Sequence, residues 1–189
     1  MSLPNLLTVA FAAFALVAPA VAQEDAIGIP GPIGFEDTDF ALAWTSNPAP
    51  VYFKQEYLPE GETVEAYSQM FMVDVLTEGA TPESAAADMI AGLDQRKADD
   101  PVVNYAMVAN DATGELILDF LLSDASSGTV IVEWNAYRYV PYGDGFVLYA
   151  ISRRGYDDAA TTFVSDLADW RAAAIEALAT MELPAVQLD

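Results

Sequence analysis

Seven stretches of the chain have the apolar content and flanking breaks of strands, and two follow a helical period. Alternation places side chains on opposite faces of a strand, and a spacing of three and four places them on one side of a helix. The strand-like stretches are 39–46, 51–58, 69–76, 102–109, 115–123, 129–140 and 146–154. Residues 69–76, "QMFMVDVL", put Phe71, Val73 and Val75 on one face and Met70, Met72 and Asp74 on the other. The first helical stretch, 81–101, opens on Thr81-Pro82, carries Ala85, Met89, Ile90 and Leu93 as its apolar stripe, and stops at Pro101. Thr at the cap and Pro at the first helical position are start signals. The second, from Asp157 or Asp158 to Met181, repeats Phe163, Leu167, Trp170, Ala174 and Leu178 along one side.

The joints carry their own signals. "NDATG", "DASSG" and "PYGDG" separate the last four strands with the Gly and Asp that tight hairpins need. Short joints imply antiparallel neighbours. Between 58 and 69, Pro59-Glu60-Gly61 turns the chain, and Thr63 and Glu65 suit one helical turn whose acids face water. The pattern predicts an α+β domain. It has a single antiparallel sheet of six to seven strands, ending in a four-strand meander, and two main helices packed mostly on one face. Residues 23–38, rich in Gly and Pro, read as a flexible leader, and 39–189 as the domain.

The first 22 residues stand apart. Residues 6–22 are uncharged and apolar and end in Ala20-Val21-Ala22. That is the outline of a secretory signal peptide cleaved before Gln23, although its first residues hold no Lys or Arg. Cleavage leaves a periplasmic or secreted protein with no membrane attachment.

Composition narrows the chemistry. There are no cysteines and no histidines. Disulfides, thiol catalysis, thiolate metal sites and the usual general base are therefore absent. Seven Lys and Arg stand against 29 Asp and Glu, for a net charge of −22. Such a surface repels nucleic acid. The acids are scattered, which suits solubility. Ser residues occur without a Gly-x-Ser-x-Gly elbow. "NDATGE" and "YGDG" hold oxygen ligands but sit where hairpin turns belong. No catalytic residue, metal ligand or cofactor is assigned.

Two constellations remain. Arg138, Arg153 and Arg154 lie near the ends of two adjacent strands, with Tyr137 and Tyr149 beside them. Guanidinium forks and aromatic planes together suit a small anion or carboxylate ligand. The same arginines can instead neutralise nearby acids such as Asp144, Asp157 and Asp158 and stack on Tyr. Tyr57, Met70 and Met72 form an apolar set on the sheet. It is either a partner surface or a second core layer under the 23–46 segment.

"EYLPEGETVEAYSQMFMV", "LYAISRRGYDD" and "DWRAAAI" resemble segments of exported bacterial proteins of uncharacterised function. The element order over about residues 39–182 resembles the Mog1/PsbP-like α+β fold. That resemblance implies a fold and carries no site residue. Taken together, the sequence points to an exported, non-catalytic accessory or protein-binding module of the cell envelope. A small-anion-binding protein is the second reading, and a carboxylate-based hydrolase the third.

Overall fold

The computed structural model describes residues 24–188. The apolar segment 6–22 and the expected cleavage before Gln23 lie outside them. The chain order is β1 (Ile33–Phe35), β2 (Thr38–Ala49), β3 (Tyr52–Leu58), β4 (Gln69–Leu76), α1 (Pro82–Arg96), β5 (Asn104–Asn110), β6 (Glu115–Asp124), β7 (Ile131–Tyr142), β8 (Gly145–Tyr156) and α2 (Asp158–Thr180).

All eight strands join one antiparallel sheet in the order β1-β2-β3-β4-β8-β7-β6-β5. This corrects the predicted architecture. The sheet is curled into a half-barrel and holds 45% of the chain against 23% in helices, in place of six to seven strands with a terminal meander. The last strand, β8, pairs back onto β4 from Gln69↔Arg153 to Leu76↔Phe146, so the two halves of the chain merge into a continuous sheet. The eighth strand is β1. It is three residues long, too short for alternation to show, and sits inside the Gly- and Pro-rich segment.

The helices lie on opposite faces, where the sequence pattern put both mostly on one. On β8, Val147, Tyr149 and Ile151 face a core shared with Ala160, Ala174 and Leu178 of α2. The alternate residues Phe146, Leu148 and Ala150 face a core shared with Ala86 and Leu93 of α1. Both faces of the central strands are therefore apolar, as a strand covered on two sides requires. The α1 start follows its signals. Thr81 and Ser84 exchange side-chain-to-backbone hydrogen bonds, which closes a capping box ahead of Pro82.

The segment before β1 is core and not a flexible leader. Ile27, Ile29, Ile33, Phe35 and Phe40 are buried on the α2 face of the sheet. The Oδ1 of Asp25 accepts from the backbone N–H of Ile27 and Ile29 at 3.1 and 3.0 Å. Gln55, fully buried on β3, fastens this segment from below. Its Oε1 accepts from Ala26 N–H at 2.6 Å and its Nε2 donates to the Ile29 carbonyl at 3.2 Å. The C-terminal end closes over the same region, with Gln187 N–H donating to the Ile27 carbonyl at 2.8 Å.

Candidate functional site

The three arginines do not converge. Successive residues of a strand point to opposite faces, so Arg153 lies on the α2 face and Arg154 on the α1 face. Arg138 donates from Nε to Glu115 at 2.9 Å and from Nη1 to the Leu178 carbonyl at 2.7 Å. It thus ties β7 to β6 and satisfies a carbonyl at the end of α2, a favourable place for a cation. Arg153 pairs with Glu36 and lies 4.7 Å over the Trp170 ring. Arg154 pairs with Glu133 and lies 3.9 Å over the Tyr67 ring. Asp144, Asp157 and Asp158, the acids expected to neutralise them, are not their partners.

The tyrosines are divided in the same way. Tyr149 is on the α2 face, donates to the Pro184 carbonyl at 2.7 Å, and is pushed up to about 12 by burial. Tyr137 is on the α1 face against Phe120, ring centroids 4.9 Å apart, and burial holds its hydroxyl well above the usual range. Arg153 and Arg154 do share a cleft of about 680 Å³ with Ser68, Gln69, Phe163 and Trp170, but Glu36 already occupies the first guanidinium there.

The apolar set Tyr57, Met70 and Met72 is not one surface, which corrects the partner-surface reading. Tyr57 pairs in register with Phe71, so it belongs to the opposite face from Met70 and Met72. It is fully buried under the segment before β1, and its hydroxyl donates to the Ile29 carbonyl at 2.7 Å. The second-core-layer reading therefore holds on both faces, with Tyr57 under the segment before β1 and Met70 in a cluster that includes Ala43. Met70 is buried beside Leu58 and Tyr67, and Met72 packs on the same cluster.

Two features were not singled out in the sequence. The first is Asp74, in the middle of β4. Its Oδ2 accepts from the Tyr52 hydroxyl at 2.7 Å and lies 3.5 Å from Lys54 Nζ. Its Oδ1 is buried with no protein partner. Burial raises the Asp74 pKa against the opposing pull of Lys54 and Tyr52. A lone acid inside "QMFMVDVL" was the available signal.

The second is β5. It is an outer strand of the sheet, hydrogen-bonded only to β6. Its sequence, "NYAMVAN", holds no charge, Pro or Gly, and six of its seven residues are exposed. Met107 is 48% exposed and Val108 67%. The other outer strand, β1, is short and its Ile33 and Phe35 are buried. Natural sheets blunt a free edge with charges, Pro, bulges or brevity. β1 uses brevity, while β5 uses none of these. The uncharged run was legible in the sequence, but its place at the edge was not.

Among the described residues, no group of three or more acids is arranged to hold a metal ion. Two of the acids are used within the fold. Asp100 accepts from Ser123 N–H at 2.7 Å and from Arg96 at 3.0 Å, and Glu62 accepts from Ser68 N–H at 2.8 Å. No curated protein and no solved structure matches the chain. One protein-family model does, over residues 27–183, from the buried Ile27 to the segment that follows α2. The chain belongs to the family described by that model.

Proposed function

We propose that the protein is an exported, non-catalytic binding module that takes an extended segment of a basic protein partner alongside β5. The observation that carries this reading is the bare outer edge of β5, seven uncharged residues in a chain of net charge −22. Strand addition draws affinity from main-chain hydrogen bonds along such an edge. The exported location rests on the apolar stretch 6–22.

Charge selects the partner. Asp99 and Asp100 precede β5, and Asp111 and Glu115 follow it. A second copy paired antiparallel on β5 would bring these acids together at both ends, and like charges there are unfavourable. A segment with an apolar middle and basic flanks meets complementary charge instead. The small-anion reading asks for guanidinium groups free to converge on a ligand, and here each is paired with its own carboxylate.

The test compares two substitutions of exposed valines. Val108→Lys puts a cation on the edge, and Val164→Lys puts one on α2, where Val164 is 42% exposed. A partner isolated from an envelope extract on the wild-type protein is retained by Val164→Lys and lost by Val108→Lys. Binding weakens as salt is added. Amides of β5 become protected from hydrogen exchange in the complex. Equal retention by both variants, or unchanged exchange along β5, rejects the proposal.

A further inference from the structure

A small cavity lies on the α2 face beside the start of β5. Its volume is about 120 Å³, and Asn104, Asp119, Leu121, Trp134, Leu167 and Arg171 line it. At about 30 Å³ of liquid volume per water, that is room for roughly four waters or one polar side-chain head. Asp119 is 5% exposed. Its Oδ1 accepts from Trp134 Nε1 at 3.3 Å and from Arg171 Nε. Among the described residues, Oδ2 accepts no hydrogen bond.

We infer that this cavity receives one basic side chain of a segment docked on β5, with Asp119 as the acceptor for its charged head. The inference rests on the strand-docking reading above and adds a specificity determinant to it. Register places the cavity. Ala106 of β5 stands opposite Asp119 of β6, and Asn104 stands opposite Leu121. Both pairs are on the α2 face. A strand added outside β5 would be two strand spacings from β6, about 9.5 Å. The row from a docked residue to Asp119 passes over Ala106, whose methyl group leaves the way open. A long Arg or Lys stem can lie across it, since such stems cover apolar surface while the charged head finds polar company. Leu121, Leu167 and Trp134 supply the apolar wall, and Asp119 supplies the charge.

Arg171 is the cation already at the site. Its side chain is 38% exposed against 7% for that of Asp119, so it sits at the rim and leaves Oδ2 to an incoming donor. Asp166 and Asp169, on the same helix, add to the negative field that offsets a second cation.

The experiment uses n-propylguanidinium as the probe and n-propylurea as its neutral counterpart. The readout is the Trp134 indole N–H resonance, because that group donates to Asp119. A saturable shift with the guanidinium and none with the urea is the expected result. Asp119→Asn lowers the affinity at least tenfold. So does Ala106→Trp, which fills the path from an exposed strand position and leaves Asp119 in place. An equal response to the urea, or undiminished guanidinium binding by Asp119→Asn, overturns the inference. Val108→Lys separates the two readings, since it removes strand docking and leaves the guanidinium titration unchanged. A cavity that takes the cation in a protein whose β5 docks nothing overturns the strand reading and keeps the pocket. Docking on β5 with no cation response keeps the strand reading and overturns the pocket.

Discussion

Asp74 shows how a single side chain can set a pH dependence. Its folded-state pKa is raised by burial, so the folded protein binds a proton there more readily than the unfolded chain does. Stability from this group is fully present below the unfolded carboxyl value of about 3.9 and is lost as pH rises through the folded value. Glu56, on the same face, is raised by burial too and acts in the same direction. Asp74→Asn keeps an acceptor for Tyr52 and removes the buried charge. The variant is more stable than wild type at pH 7.5, by on the order of 1 kcal/mol for relief of an unpaired buried carboxylate oxygen. The difference closes at pH 4. Urea denaturation at the two pH values measures it, and a variant less stable than wild type at pH 7.5 contradicts the assignment.

The element scale is governed by close approach. Gly155, near the end of β8, lies under the first turns of α2. A Cβ there would come within 2.6 Å of Phe163 Cβ and 3.1 Å of Ala160 Cα. The helix can therefore settle on the sheet only over a residue without a side chain. Gly155→Ala forces α2 outward and costs about 1–3 kcal/mol, as overpacking does. Gly92 is the contrast. It lies in the exposed interior of α1 with no atom within 4 Å of the added Cβ. Gly92→Ala stabilises by roughly 0.5–1 kcal/mol, through helix propensity alone. Paired denaturant melts of the two variants test both signs.

At the scale of the whole molecule, charge dominates. Seven cations cannot balance 29 acids, and the described Arg138, Arg153, Arg154 and Arg171 are each engaged with a carboxylate. The excess acids repel one another across the surface, and salt screens exposed charges beyond a Debye length of about 10 Å at 0.1 M. Added sodium chloride, from 10 mM to 0.5 M, therefore raises the melting temperature by about 2–4 °C, the shift that 1 kcal/mol produces in a chain of this size. A fall in melting temperature over that range would mean that ion pairs outweigh the repulsion.

The sequence by itself determined the parts that depend on neighbours along the chain. Thr81-Pro82 and Pro101 bounded α1, the Gly- and Asp-bearing joints marked the hairpins, and the missing His and Cys excluded their chemistry. These are local signals, carried by caps, turns and side-chain types. Tertiary structure decided the rest. The unbroken apolar run 146–151 does not record that α1 covers one face of β8 and α2 the other. The 23–38 segment reads as a flexible leader because Gly and Pro interrupt any period, and only Gln55 and Tyr57 beneath its described residues reveal a buried layer. Arg153 meets Glu36 across 117 positions of sequence, a pairing that no spacing rule encodes. β5 and β6 have similar alternating patterns, yet only the strand order leaves β5 without a neighbour on its outer side. Faces, partners and edges depend on how distant segments meet, and one-dimensional periodicity carries no record of that.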